Sequence, residues 1–239
     1  MALNLEKVLT PENIERLLTG DYFTTGDLGG FALTILLGFI SIVAATFLGI
    51  IVGLMRQSKS QLIRWPATIF INLFRSVPVL AIIFWAYFIP PQLLGITFSA
   101  FESALIALTL FTSAYIAEIV RSGLNSVPES HIHTARALGL SRIQIYRYII
   151  IPQAVYIMLP ALAGRYIVTI KNTSLAFLIG LTEVTEIGRQ INTRLMTAPG
   201  EVYLVILLLY YILNVTIAST MGKLEKRSVF NRLFRPVKA

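Results

Sequence analysis

Residues 31–55 read FALTILLGFISIVAATFLGIIVGLM, without a single charged side chain. As a helix rising 1.5 Å per residue this stretch is about 38 Å long, enough to cross a hydrocarbon core of about 30 Å. A helix also satisfies its own backbone hydrogen bonds, which lipid requires. The whole chain has the same character. Of 239 residues, 56% are hydrophobic and only 13% charged, with a mean hydropathy of +0.74; a soluble domain carries about 25% charge. There is no cysteine, which removes disulfides and thiolate metal sites. The net charge of +8 does not point to nucleic acid, because in a membrane chain the positions of charges matter more than their sum. The start, MALNLEKVLTPENIERLL, lacks a basic region followed by an apolar one, so no cleavable signal is expected.

Further spans are expected over 69–89, where Pro90-Pro91 divides an uncharged run, and over about 98–120, 152–171 and 202–222. If five spans alternate, thirteen Lys and Arg fall on one side: Arg56, Lys59 and Arg64; Arg121, Arg136, Arg142 and Arg147; and Lys223, Lys226, Arg227, Arg232, Arg235 and Lys238. The opposite side has two basic residues against five acidic ones in its N-terminal segment, and no basic residue between the second and third spans. The positive-inside rule then puts the N-terminus outside and the C-terminus in the cytoplasm. The expected fold is an all-α integral membrane protein of about five transmembrane helices. It divides into an external segment 1–27, a membrane domain 28–227 and a basic cytoplasmic tail 228–239.

One polar stretch interrupts the apolar pattern: residues 128–153, PESHIHTARALGLSRIQIYRYIIIPQ. Ser126 and Glu129 have capping-box spacing, and so do Ser141 and Gln144. Pro128 suits a first helical turn, and Gly139 stands where a left-handed residue would end a helix. Two short helices with a glycine corner are expected over 126–151. His131 and His133 point to different helix faces and lack a third ligand, so no metal site is expected.

This stretch resembles the EAA loop of permease subunits of ATP-binding-cassette importers: E-A-A, three residues, G, nine residues, I-x-L-P. Here the pattern runs His133-Thr134-Ala135, Gly139, then Ile149 to Pro152, with both spacings kept and with His, Thr and Ile at three of its positions. Arg75-Ser-Val-Pro78 is similar to the R-[GS]-x-P of the polar amino-acid permeases in that class. Ala117-Glu118-Ile-Val-Arg121-Ser-Gly123 is similar to their AEIxRxG, and Lys171-Asn172-Thr173-Ser174-Leu175 to their K-[DNS]-[TS]-S-L. The resemblance implies that the helix pair couples to an ATPase through His133, Thr134, Ala135, Gly139 and Pro152. It implies partners: an ATPase dimer binding ATP and magnesium, a second permease subunit, and an extracytoplasmic amino-acid-binding protein. The chain itself has no phosphate loop, since Gly222-Lys223 lacks both the partner glycine and the Ser/Thr, and no cofactor of its own is expected.

Charges inside a span cost about 2.5–3.5 kcal/mol on insertion scales. Glu118 and Arg121 form an i, i+3 pair, and Arg75 and Pro78 stand near the inner end of span two, so these four are read as structural or gating residues. Arg165 is about 20 Å of helix beyond Pro152. With Lys171, Asn172, Thr173 and Ser174 it is the candidate lining of a substrate path, the alternative for Arg165 being a pair with a carboxylate of a neighbouring subunit. In the family that position is more often neutral or acidic, and a cation there favours glutamate or aspartate over basic amino acids, with glutamine next. A stand-alone channel or carrier would call for deep carboxylates, and Glu118 with the edge residue Glu102 are the only candidates read from the sequence. A membrane enzyme would call for an acid/base cluster that the two histidines do not supply.

Overall fold

The computed structural model describes residues 5–227; the basic tail expected over 228–239 lies outside the described residues. Among the described residues the chain is helical throughout, with one isolated backbone bridge between Gly30 and Glu183. It opens with α1 (Pro11–Thr19), capped by Thr10, whose hydroxyl accepts from the Asn13 N–H, and the single turn α2 (Tyr22–Thr25). α3 (Gly30–Arg56) is the long apolar helix of the opening quotation. Gly30 takes φ +56, and a Cβ there would sit 2.6 Å from the Leu17 carbonyl oxygen. Only glycine lets the N-terminal helix lie across the start of the first span.

Every fourth residue of α3 from Ser41 onward is small: Ser41, Ala45, Gly49 and Gly53, all buried. This stripe lets the backbone of α6 (Ala100–Asn125) come close, the way small residues pack helices in lipid. A Cβ on Gly49 would lie 2.7 Å from Ile116 Cβ and 2.9 Å from the Ser113 carbonyl oxygen. α6 starts at the Ser99–Glu102 capping box.

Between α3 and α6 the second span is broken. α4 (Gln61–Ser76) and α5 (Val79–Leu94) meet at 106°. The break is at Pro78, and not at Pro90-Pro91, which lie inside α5. Val77 precedes a proline and is extended, at φ −101 and ψ 137, because the proline ring excludes the helical conformation from its neighbour. The single helix expected over 69–89 is thus replaced by an elbow.

The polar stretch forms α7 (Glu129–Ala137) and α8 (Arg142–Ile145). The Ser141–Gln144 capping box is present in both directions. The Ser126–Glu129 box is not. Ser126 is the helical C-cap of α6 and turns its hydroxyl back to the Ser122 carbonyl oxygen at 2.6 Å, while Pro128 holds the N-cap position of α7. Gly139 adopts the expected left-handed φ of +79. The second short helix does not stop at Ile151. It continues through a π turn (Tyr146–Ile150) into α9 (Ile151–Asn172). The wider turn comes immediately before Pro152 and absorbs its missing N–H.

A 3₁₀ stretch, Thr173–Ile179, then leads to α10 (Val184–Leu195) and the last long helix, α11 (Pro199–Arg227). Ala176, Ile179 and Leu181 join a core with α3, α5 and α6, including Leu37, Ile83 and Leu108. α1, α10 and α11 close a second core around Val8, Leu17, Ile187 and Val202. Among the described residues four helices are long and apolar enough to cross a membrane, or five spans if the bent pair counts as one.

Replacing Gly49 by leucine should cost about 1–3 kcal/mol of overpacking and lower the thermal midpoint in detergent by about 5 °C. Gly222→Ala, where a Cβ meets nothing within 4 Å, should melt like wild type. Equal melting of the two variants would show that the close contact between α3 and α6 is not what holds the bundle.

Candidate functional site

Arg75, Glu118, Arg121 and Arg165 gather around α6. Arg121 places both Nε (3.0 Å) and Nη2 (2.6 Å) on Glu118 Oε1, so the pair expected from sequence is formed within one helix. Arg75 reaches from the end of α4 to within 3.9 Å of Glu118 Oε2 and lies over the Tyr115 ring, 5.3 Å from its centroid. Arg165 projects from α9 onto the same ring at 3.9 Å and onto Phe111 at 4.7 Å. Stacking a guanidinium on aromatic faces is favourable when both are desolvated. The Arg165 Nε and Nη2 atoms are buried and have no hydrogen-bond partner among the described residues. They form the side-on fork with which arginine takes a carboxylate.

The rest of the KNTSL segment faces elsewhere. Lys171 and Ser174 line a groove of about 580 Å³ against α11, with Leu207, Tyr210 and Asn214 across from them. Thr173 is buried and its hydroxyl donates to the Ile170 carbonyl oxygen, and Ser174 donates to that of Lys171. Asn172 is half-buried at the end of α9. Arg165 and Lys171 therefore look out from two sides of one helix. Six helical residues turn the chain through about 600°, leaving these side chains about 120° apart.

At the α7–α8 corner, Ala135 is buried and packs with Val127, Ile145 and Ile150. His133 and Thr134 are exposed, as are Gly139 and Pro152. Leu138 and Ile143 flank the corner and are more than three-quarters exposed. His131 Nδ1 and Gln153 Oε1 share a 3.0 Å hydrogen bond that ties α7 to the start of α9.

A buried carboxylate appears that sequence reading passed over. Glu183, fully enclosed, caps α10 by accepting from the N–H groups of Thr185 (2.9 Å) and Glu186 (3.1 Å). Its Oε2 accepts from the hydroxyls of Tyr210 (3.0 Å), Thr185 (3.2 Å) and Thr34 (3.3 Å). α3, α10 and α11 thus meet on one side chain. Burial pushes its pKa up to about 7, against these hydrogen bonds, which pull it down. The only signal in the sequence was an acidic residue before a helix-forming run, which reads as an ordinary surface cap. Next to it Glu186 is held below the ordinary carboxylate range by the bidentate hydrogen bonds of Arg189.

Residues 45–229 match the family model described as the binding-protein-dependent transport system inner membrane component. The chain belongs to that family. It is a multi-pass protein of the bacterial inner membrane, and the family consists of permease subunits whose ATP hydrolysis is carried by a separate subunit. This permease is 40% identical over 201 residues to a probable amino-acid ABC transporter permease, YckA, of Bacillus subtilis (strain 168), covering 83% of this chain and 87% of that one. It is 35% identical over 202 residues to a probable glutamine ABC transporter permease, GlnP, of the same organism, covering 83% and 91%. Among solved structures it resembles the crystal structure of an amino acid ABC transporter with histidines, at a TM-score of 0.77 and 30% identity, covering 83% of this chain and 92% of that one.

The Glu183 carboxyl has a pH signature. Its folded pKa, about 7, stands above the ordinary 4.5. Below about pH 4.5 both folded and unfolded chains keep the proton, and its burial carries no ionic cost. As pH rises the unfolded chain ionises first, so stability falls until about pH 7 and is constant above, a loss of about 3 kcal/mol. Glu183→Gln should therefore raise the thermal midpoint at pH 8 and change it little at pH 5. The check is a pair of melting curves; the same shift at both pH values would mean that the carboxyl is not held protonated by burial.

Proposed function

We propose that this chain is the membrane-spanning permease subunit of an ATP-driven importer of polar amino acids, with glutamate or aspartate favoured. The observation that carries the acidic preference is the Nε/Nη2 fork of Arg165, desolvated between Phe111 and Tyr115 and without a hydrogen-bond partner among the described residues. A buried cation without a partner is costly, and a side-chain carboxylate arriving there meets two parallel donors. Two unit charges about 4 Å apart interact by roughly 4 kcal/mol at an effective dielectric of 20, before desolvation is subtracted. Glutamine is the second reading. It is the amino acid for which the GlnP relative is named, and its amide oxygen accepts from the same fork, without the charge.

In this reading the N-terminus is outside, and the α7–α8 corner is cytoplasmic. The corner sits in a cleft of the ATPase, with Leu138 and Ile143 as its apolar contacts and His133, Thr134, Ala135, Gly139 and Pro152 fixing its shape. A second permease subunit completes the water-filled path, and an extracytoplasmic binding protein delivers the amino acid. Short helices move as units, so a displacement at the corner passes through the π turn into α9 and on to Arg165.

The substrate test is uptake into vesicles carrying permease, ATPase and the matched binding protein. Arg165→Gln should lower glutamate or aspartate uptake about tenfold or more and spare glutamine. Unchanged acidic uptake, or a basic native substrate, returns Arg165 to a structural role.

The coupling test is Gly139→Val. Nothing lies within 4 Å of a Cβ at this position, so the variant meets only the left-handed backbone that a β-branched residue opposes. ATP hydrolysis by the assembled transporter should persist while uptake falls; full uptake would remove the corner from the coupling path.

A further inference from the structure

A separate cavity of about 240 Å³ opens between α6 and α9, on the far side of Tyr115 along α6 from Phe111. Glu118 and Arg75 supply its charges, and Ile119, Ile157, Met158 and Ala161 its apolar walls. The two oxygens of Glu118 are used differently. Oε1 takes both hydrogen bonds from Arg121. Oε2 is buried and accepts no hydrogen bond among the described residues. Arg75 Nη1 stands 3.9 Å from it, beyond hydrogen-bond range, with the guanidinium resting on the Tyr115 ring. The cavity therefore holds an acceptor that lacks a donor beside a cation that does not close on it, and a wall that is apolar apart from the Tyr115 and Ser122 side chains.

That arrangement is complementary to one chemical unit, the zwitterionic head of an α-amino acid. We propose that this cavity is a second amino-acid station. The ligand's ammonium donates to Glu118 Oε2, and its carboxylate accepts from Arg75. The apolar wall leaves the side chain unread. The proposal rests on the importer reading above and adds to it a division of labour. Arg165 discriminates by the side-chain carboxylate, and the Arg75–Glu118 station holds any small amino acid by its backbone groups. Tyr115 is shared between them, with Arg165 and Arg75 both against its ring, so the two stations are neighbours on α6. Arg75 also precedes the Pro78 elbow by three residues, which puts occupancy of the station next to the break in the second span.

The test uses the purified permease–ATPase complex without binding protein, with L-glutamine as probe, followed by saturation-transfer NMR. Binding is expected for L-glutamine. It is expected to be lost for N-acetyl-L-glutamine, whose ammonium is blocked, and for L-glutamine α-amide, which lacks the carboxylate. Arg75→Gln should weaken L-glutamine about tenfold or more, the effect of losing a charged hydrogen bond. Glu118→Gln should do the same; because it also strips Arg121 of its partner, the half-exposed Arg75 is the primary variant. Because the glutamine amide can also accept at the Arg165 fork, the Arg75→Gln loss is read again in an Arg165→Gln background, where it should persist. Unchanged binding in Arg75→Gln, or equal binding of the blocked analogues, overturns the second station. If Arg165→Gln alone abolishes binding, the only station is at Arg165, and the importer reading, judged by uptake, still stands.

Discussion

The contact on which the rest of this structure depends is the backbone approach of α3 to α6. Lipid is as apolar as a leucine side chain, so no hydrophobic force draws two spans together. What remains is close packing and the interactions it allows. The Ser41–Ala45–Gly49–Gly53 stripe supplies that packing. It also fixes the rotation of α6, with Ile116, Ala117 and Val120 turned toward α3 or its neighbours and Tyr115 and Glu118 turned toward Arg75 and α9. The placement of the charged cluster follows from where two glycines permit contact.

Much of this was legible from the sequence because it is local. Apolar length gave the spans. The i, i+3 spacing gave the Glu118–Arg121 pair, one box gave the start of α8, and a lone glycine gave the left-handed corner. The failures have physical reasons too. Two adjacent prolines looked like the stronger break in the second span, yet Pro78 breaks it, because its effect falls on Val77 and the helix has no turn there to absorb it. The second short helix was expected to end at Ile151, and instead a π turn carries it on into α9, with Pro152 in the first turn of that helix.

The candidate residues can be picked out along the sequence, but how they group in space cannot. Arg165 and Lys171 were read as one lining because they are neighbours in sequence, although helical periodicity alone turns them apart. The aromatic partners of Arg165 are about fifty residues away, on another helix. Glu183 was missed for the same reason: three of its hydrogen bonds come from nearby, but the two that bury it come from Thr34 and Tyr210. Pairings across that distance leave no spacing pattern to read.

The π turn at Tyr146–Ile150 carries one residue more than an α-helical turn would need. It therefore takes up an extra residue without re-phasing the polar head of this long helix against its apolar shaft. Deleting one residue there would restore an ordinary helix and leave Ile143 and the glycine corner facing much as they do now. The same deletion in the regular part of α9 would rotate the head by about 100° and draw it about 1.5 Å closer. One turn of this helix thus tolerates a change in length that every other turn would pass on to the corner.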